Sequence, residues 1–294
     1  MRRLLRSPAL GAGASVARND IAKSDTIIIA IMTTIYQALE ELERSNEPAA
    51  LCTVVKSEGS TPRHVGSKML VYSDGHFIGT VGGGDLEHRV MDEAWTSIAD
   101  GKSRSLSYNM SDPARGDPGV CGGQLEVFVE PILPPAAMVI IGGGHVGKAV
   151  AHLAKWLGFR VFVSDDRPEF CNKETIPDAD AFYVCPMEEL PKQMKIDKRT
   201  YLILTTRGSS VDAAGLGLLL DSPAAYIGVI GSRRRWATTV KDLKARGVSE
   251  ARIARVHSPI GLELQAETPE EIAVSIMAEV LMSHNGGTGK AMKG

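Results

Sequence analysis

The sequence predicts an α/β protein in which a small mixed α+β domain is followed by a Rossmann-like domain with a parallel sheet. Its second half alternates continuous apolar strands with helical segments, which is typical of a parallel sheet covered on both faces. A strand, a glycine-rich turn and a helix follow one another at 138–157. The 294 residues, 44% hydrophobic and 23% charged, are enough for two ordinary cores.

Composition changes along the chain divide it into five predicted segments. Short β-branched runs broken by Gly, Ser and Pro, with the turn sequence "SDG" at 73–75, predict a mixed sheet in the first domain. The sequence "PILPPAA" predicts a stiff linker. The segments are a loose tail at 1–32, the N-terminal domain at 33–130, the linker at 131–137, the Rossmann-like domain at 138–283 and a flexible tail at 284–294.

Periodic apolar residues and capping signals place three helices. Apolar residues recur at helical spacing after Thr33 and again after Asp85. Near the end of the chain, Thr268 is predicted as an N-cap, with Pro269 at the first helical position and Glu271 completing a capping box. The last helix is therefore predicted to begin at Pro269.

Composition and charge argue against several classes of function. A formal net charge of −2 provides no broad basic field for nucleic acid. No apolar run approaches the roughly 20 residues that span a bilayer. The four cysteines form no C-x-x-C pair and no metal-ligand cluster, which suits free thiols in a reducing compartment. We therefore expect a cytoplasmic protein with no intrinsic metal, no nucleic-acid partner and no membrane segment.

The segment "VIIGGGHVGKAV" carries a dinucleotide-binding fingerprint. Gly142 permits a tight turn, Gly144 lets the backbone approach a pyrophosphate, and Gly147 allows close packing of helix on strand. His145 lies inside this turn. The next strand ends at Asp165, where a carboxylate can accept hydrogen bonds from a ribose diol.

The fingerprint predicts a nucleotide site but does not by itself predict redox chemistry. Asp165 argues against a ribose 2′-phosphate, although Arg167 two residues further on keeps that alternative open. A dehydrogenase also needs an acid or base beside the nicotinamide, and neither His145 nor His152 is placed for that role. The sequence therefore supports nucleotide binding better than hydride transfer, with a nucleotide fold whose site is silent as the alternative.

Two motifs of the first domain are candidate anion sites. In "GSTPR" the arginine could add a charge-assisted contact to a phosphate or carboxylate. In "GTVGGGDLE" three glycines precede a helix start, where backbone N–H groups and the helix dipole can hold an anion; the alternative is a turn that only needs positive φ. The candidate residues are Ser60, Thr61, Arg63, Gly82, Gly83 and Gly84.

The motif "VCGGQ" places Cys121 beside Gly122 and Gly123, between a loop and a strand. A thiol with a lowered pKa there could bind a metal centre or accept a sulfur atom, and an inert cysteine is the alternative. The other cysteines are predicted to be buried packing residues: Cys52, Cys171 and Cys185.

Taken together, "GSTPR", "GTVGGGDLE", "CGG", "GGGHVG", "VSDDRPEF", "TTRGSSVD", "VIGSRRR" and "SPIGLELQAETPEEIAVSIMAE" resemble the XdhC/CoxI family of xanthine dehydrogenase accessory proteins, in order from about residue 33 to 283. The resemblance implies a chaperone, rather than an enzyme, that binds molybdenum cofactor. Its partner would be a molybdenum hydroxylase such as xanthine dehydrogenase, into which it helps to insert the cofactor. A cysteine desulfurase is a further implied partner, and the implied assembly is a homodimer.

The resemblance also implies which residues hold the ligand. It adds Gly231, Ser232 and Arg233 to the segments above, and it assigns Cys121 to a sulfur or molybdenum contact. The cofactor has a phosphate tail that many bacteria extend with a nucleotide, so a dinucleotide-shaped site could hold either form without hydride transfer. NAD(H) is the alternative ligand, and the alternative functions are an NAD-dependent oxidoreductase and a nucleotide-sensing scaffold.

Two departures from the family pattern affect these expectations. Ser209 stands where many relatives have a histidine, and Asp85 stands where some have a cysteine. Cys121 is then the one motif cysteine, which argues against a two-thiol mechanism within a single protomer. The run Arg233–Arg235 at a predicted helix start is a candidate contact for the client enzyme, with a solvated face as the alternative.

Overall fold

A computed structural model describes residues 34–110 and 122–293. The chain divides into two compact units between Pro134 and Pro135. This division lies within the predicted linker at 131–137, where one strand ends at Ile132 and the next begins at Ala137. Within the described ranges, no helix is long and apolar enough to cross a bilayer.

The first unit is built on an antiparallel sheet. Its elements are α1 (Ile35–Ser45), β1 (Ala49–Glu58), β2 (Lys68–Tyr72), β3 (Phe77–Gly79), α2 (Gly84–Asp100), β4 (Arg104–Asn109) and β5 (Gln124–Ile132). The five strands lie in the order β3-β2-β1-β5-β4, and all four neighbouring pairs are antiparallel. The hairpin predicted at 73–75 joins β2 to β3, and Gly75 has the left-handed φ of 98° that such a turn favours.

The core of the first unit lies between the sheet and α2. Leu86, Val90 and Ala94 form the buried stripe of this helix and pack against alternate residues of β1 and β5, such as Cys52 and Val127. The predicted helical periodicity after Asp85 is therefore confirmed. A smaller apolar cluster lies where α1 packs on the sheet.

The second unit alternates strands and helices. Its elements are β6 (Ala137–Ile141), α3 (His145–Trp156), β7 (Arg160–Ser164), β8 (Ala181–Tyr183), α4 (Leu190–Gln193), β9 (Thr200–Leu204), α5 (Ser209–Leu219), β10 (Tyr226–Val229), α6 (Arg233–Ala245), α7 (Glu250–Ile253), β11 (Val256–His257) and α8 (Pro269–Asn285).

The sheet of the second unit has the strand order of dinucleotide-binding folds. The order is β11-β10-β9-β6-β7-β8 and every neighbouring pair is parallel. The chain moves outward from β6 to β8 and then returns to β9 on the other side of β6. Ligands of such sheets bind beyond the carboxyl ends of the strands at this switch point. The predicted Rossmann-like architecture is confirmed.

Burial explains why the strands of the second unit read as continuous apolar runs. All five residues of β6 and all five of β9 are buried. One face of the sheet packs against α3 and α8, and the other packs against α5 and α6. Because both faces are covered, no alternation of polar residues is required.

The predicted capping box begins α8. The backbone N–H of Glu271 donates to Thr268 Oγ1 over 3.2 Å, and the backbone N–H of Thr268 donates to Glu271 Oε2 over 3.1 Å. The helix begins at Pro269 as predicted. Its buried residues Ile276 and Val280 belong to the main core, so the cap secures a helix on which that core depends.

We expect Thr268→Ala to lower the free energy of unfolding by about 1 kcal/mol, because the backbone N–H of Glu271 loses its side-chain acceptor. Urea unfolding followed by circular dichroism measures the change as a lower midpoint. Thr238→Ala is the matched control, since Thr238 is an exposed residue in the middle of α6 whose hydroxyl donates to the Arg234 carbonyl oxygen. Equal midpoints for both variants would contradict the assigned role of the cap.

Candidate functional site

The turn from β6 into α3 is formed by backbone atoms in close contact. Gly142 has a left-handed φ of 111°, and a Cβ atom added there would lie 2.6 Å from the Thr205 carbonyl oxygen. A Cβ atom on Gly143 would overlap the Phe170 carbonyl oxygen, and one on Gly147 would overlap that of Gly142. Side chains at these positions would force the turn apart, so the glycines are required by the packing itself.

Gly144 is the fingerprint glycine whose side-chain direction is open. Its backbone is extended (φ −68°, ψ −171°), and no described heavy atom lies within 4 Å of an added Cβ. Gly144 is the N-cap of α3, and no side chain from the described part of the chain caps this helix. The N–H groups of its first turn therefore have no side-chain cap, and the space beside Gly144 is open; a phosphate could take such a position.

A cavity of about 250 Å³ adjoins this turn at the carboxyl ends of β6, β7 and β9. We call it the switch-point pocket. Its lining includes Gly142, Asp165, Asp166, Arg167, Cys185, Thr206 and Arg207.

Asp165 lies at the end of β7 as predicted, but its carboxylate is already paired. The Asp165 side chain is 3% exposed. Its Oδ1 accepts from the backbone N–H and Nε of Arg167, at 3.0 and 2.9 Å. Its Oδ2 accepts from Nη2 of Arg167 and from the backbone N–H of Gly143, both at 2.9 Å. A ribose contact by Asp165 would therefore require Arg167 to move.

A second ion pair lies beside the first. Nη1 and Nη2 of Arg207 donate to the two carboxylate oxygens of Asp166 at 2.7 and 2.9 Å. The hydrogen bonds from Arg207 lower the pKa of Asp166 to about 2, so this carboxyl is ionised at neutral pH. Both side chains are more than one third exposed. The pair therefore lines the switch-point pocket but adds little to the stability of the fold.

A third polar group joins the ends of β9, α5 and α6. Asp212 is fully buried, and its Oδ2 accepts from Nη2 and Nε of Arg235 at 2.8 and 3.2 Å. Nη2 of Arg235 also donates to Thr206 Oγ1 at 2.7 Å, and the Thr206 hydroxyl donates to Asp212 Oδ1. Gly231 makes room for this arginine, since an added Cβ would lie 2.7 Å from Arg235 Cδ. The group fixes Thr206 at the pocket.

This arrangement corrects the interpretation of Arg233–Arg235 as one client-facing run. Arg235 is held by the buried carboxylate of Asp212 and its side chain is only 23% exposed. Arg233 and Arg234 are exposed. Arg233 does not line the switch-point pocket but a separate cavity of about 520 Å³, together with residues 259–266. Ser232 caps α6 by accepting the backbone N–H of Arg235 at 3.2 Å.

His145 is also directed away from the switch-point pocket. It is exposed at the start of α3 and lines a cavity of about 590 Å³ between α3 and α8, with Lys148 and Glu270. The structure therefore brings Gly142, Asp165 and Arg167 together and leaves His145 and Arg233 outside that group. Sequence reasoning missed Thr206 and Arg207 as residues that line the pocket. It also missed the ion pair of Asp212 with Arg235 that holds Thr206, for which the acid within the apolar run "VDAAGLGLLL" was the available signal.

The motifs of the first unit converge at one end of its sheet. A Cβ atom on Gly123 would lie 2.6 Å from the Glu58 carbonyl oxygen and would overlap that of Ser60. One on Gly82 would lie 2.9 Å from Pro62 Cγ. The segments 58–63, 80–84 and 122–123 are therefore in contact, and we call them the three-loop cluster.

In the three-loop cluster some side chains are used to hold the loops together and others are exposed to solvent. Thr61 Oγ1 lies 2.6 Å from Ser57 Oγ and donates to the Arg63 carbonyl oxygen at 3.0 Å, so this hydroxyl holds the loop together. Ser60 and Arg63 are exposed. α2 starts behind Gly83 with no capping side chain among the described residues. Asp85 in its first turn pairs with Arg89 at 2.8 Å, which places an acid close to any bound anion.

The predicted thiol Cys121 lies outside the described residues. The three described cysteines are buried, which confirms their predicted packing role. Burial raises the pKa of Cys52 to about 12 and raises the pKa of both Cys171 and Cys185. These thiols are therefore poor nucleophiles at neutral pH. Residues 34–110 and 122–293 contain no group of three His, Cys, Asp or Glu side chains arranged to hold a metal ion.

Two protein-family models match the chain. The model described as the XdhC Rossmann domain matches residues 138–280, and the model of the XdhC and CoxI family matches residues 42–109. Together they cover most of the described chain. The protein belongs to the XdhC and CoxI family. The resemblance drawn from the sequence motifs is confirmed.

Several known proteins are similar to this chain. The uncharacterized protein YqeB of Escherichia coli K12 is 34% identical over 88% of this chain, which spans only 48% of YqeB. A protein of Bacillus subtilis named as a probable xanthine dehydrogenase component is 23% identical, over 86% of this chain and 98% of the relative. The molybdenum cofactor insertion chaperone PaoD of Escherichia coli K12 is 21% identical, over 84% and 87%. A structure described as a xanthine dehydrogenase of Bacillus halodurans matches 86% of this chain and 96% of its own, with 23% identity and a TM-score of 0.47.

Ser209 stands where the sequence resemblance implies a histidine. It is the first residue of α5, and its neighbour Ser210 lines the switch-point pocket. This XdhC-family chain therefore offers a hydroxyl, not an imidazole, at the start of that helix. The substitution removes a candidate proton carrier from this position.

We expect Arg235→Met to lower the free energy of unfolding by about 3 kcal/mol, because the buried Asp212 carboxylate loses its cationic partner. Arg234→Met is the matched control, since this neighbouring arginine is exposed; its effect should stay within about 0.5 kcal/mol. Arg235→Lys should show an intermediate loss. Urea midpoints measure all three, and an unchanged midpoint for Arg235→Met would contradict the assigned network.

Proposed function

We propose that this protein binds molybdenum cofactor as cargo and assists its insertion into a molybdenum hydroxylase. The observation that carries the proposal is the switch-point pocket, which adjoins a glycine turn open to a phosphate. The names of two relatives support the cargo: one is a molybdenum cofactor insertion chaperone and the other a probable xanthine dehydrogenase component. The protein would act without catalysing hydride transfer.

In this proposal the two units supply different contacts. Gly142, Gly144 and Gly147 shape the turn that receives the phosphate end of the cargo, with Asp165 and Arg167 beside it. The three-loop cluster of the first unit is a separate candidate anion site, with Ser60, Arg63 and the first turn of α2. Cys121 is proposed as the sulfur or molybdenum contact on sequence grounds. The proposed partners are a xanthine dehydrogenase-like client, a cysteine desulfurase and a second copy of the chain.

The decisive experiment is to isolate the protein from its own host and to analyse bound pterin and molybdenum. Bound cofactor at a stoichiometric level is the expected result. A nicotinamide enzyme is the second candidate, because the strand order of the second unit is that of dinucleotide-binding folds. Protein that carries no pterin, and whose melting temperature rises with NAD(H), would favour this alternative.

Gly144→Val should abolish binding of the phosphate end of the cargo while leaving the fold intact. The new side chain would enter the open space before α3, and the extended backbone of Gly144 accommodates a β-branched residue. Pterin retained by protein isolated from the host provides the measurement, and an unchanged melting temperature reports the fold. Gly217→Ala, whose added Cβ would make an ordinary 3.5 Å contact with Val248, is the control. Full retention of pterin by Gly144→Val would remove the turn from the proposal.

Cys121→Ser should reduce both molybdenum content and activity of a co-expressed hydroxylase, because a soft thiolate ligand or sulfur acceptor is lost. Cys171→Ser is the matched control: the Cys171 thiol donates to the Val163 carbonyl oxygen at 3.4 Å, and a serine hydroxyl keeps that donor. The control should mature the client normally. Equal maturation by Cys121→Ser and the wild type would exclude the thiol from the mechanism.

A further inference from the structure

The carboxylate of Asp165 has no acceptor position left for a ligand. An ionised carboxylate offers about four lone-pair directions. Three N–H donors of Arg167 and one of Gly143 take these four positions at 2.9 to 3.0 Å. A ribose diol needs two acceptors on such a carboxylate, so it cannot bind there while Arg167 keeps its place.

Removing Arg167 from Asp165 carries a large energetic penalty. The Asp165 side chain is 3% exposed, and a buried carboxylate that loses its cation is strongly destabilised. The guanidinium is also held from the other side, since it lies 4.0 Å from the centroid of the Phe170 ring. Neutral hydroxyl groups of a ribose would have to replace two charge-assisted hydrogen bonds, which are roughly twice as strong as neutral ones.

The same arginine can meet an anion without leaving its carboxylate. Within the described chain, Nη1 of Arg167 donates to no residue, and one third of the side chain is exposed at the pocket. The nearby carboxylate of Asp166 does not oppose an anion with its full charge, because Arg207 pairs with both of its oxygens. The pocket therefore presents a positioned guanidinium where a ribose-binding site would present a free carboxylate.

We infer that the switch-point pocket selects a ligand that places a phosphate monoester beside β7 over one that places a bare ribose diol there, and that Arg167 is the specificity-determining residue. Asp165 is then a positioning residue that holds the guanidinium. The inference rests on the proposed nucleotide-type site.

NADP⁺ and NAD⁺ test this inference, because they differ only in a phosphate monoester that replaces one hydroxyl of the ribose diol. Calorimetric titration of the wild type should give an affinity for NADP⁺ at least about tenfold higher than for NAD⁺. In Arg167→Met the affinity for NADP⁺ should fall about tenfold or more, and that for NAD⁺ should rise, because Asp165 regains free acceptors. Arg167→Lys keeps a cation near Asp165, so its two affinities should lie between those of the wild type and those of Arg167→Met. This variant tests the inference even if the methionine variant folds poorly.

Arg207→Met is the matched control, since it removes the same charge from the same pocket but leaves Asp165 paired. It should give no gain in affinity for NAD⁺. A wild type that binds NAD⁺ as tightly as NADP⁺, or an Arg167 variant that gains nothing for NAD⁺, overturns the inference. A wild type that binds neither dinucleotide also overturns it, and bound pterin in protein from the host would then leave the proposed function standing.

Discussion

The second unit depends on the turn after β6, where the glycines at 142, 143 and 147 lie too close to neighbouring backbone for any side chain. Gly142 and Gly147 let the turn fold onto itself, and Gly143 passes so close to residue 170 that a Cβ atom would overlap its carbonyl oxygen. This close approach directs the Gly143 N–H at Asp165, at the end of the neighbouring strand. The position of Asp165, and of the arginine that it holds, therefore follows from the path of the backbone.

Burial separates the ion pairs at the pocket into two kinds. Asp165 and Asp212 are almost inaccessible to water, so each needs its arginine for the fold to be stable. Asp166 and Arg207 are exposed, and their pair is weak enough to open when a ligand arrives. The switch-point pocket thus has a fixed ion pair, Asp165 with Arg167, beside an exposed pair that can open, which on the proposed function suits a ligand that is bound and later released.

The sequence was sufficient for features whose causes are local. The glycine fingerprint, the capping box at Thr268 and the parallel strands follow from spacing and periodicity over a few residues. The pairing of Arg235 with Asp212 joins residues 23 positions apart, and its bond to Thr206 spans 29 positions, so no local pattern reveals them. The fold-back of Arg167 onto Asp165 is local in sequence, yet two opposite charges two residues apart are equally compatible with separate exposed side chains.

A nucleotide-binding fold can act as a carrier, because the residues that bind the phosphate are different from those that a reaction would need. The turn after β6 offers N–H groups to a phosphate whatever group that phosphate bears. Hydride transfer would in addition need a proton donor or acceptor at the pocket, and Ser209 supplies no imidazole there. The pocket thiol Cys185 has a raised pKa because of burial, which disfavours the thiolate that nucleophilic chemistry requires. On the proposed function, sulfur chemistry therefore belongs to the first unit and phosphate binding to the second. A variant that loses the sulfur chemistry should still bind the phosphate end of the cargo.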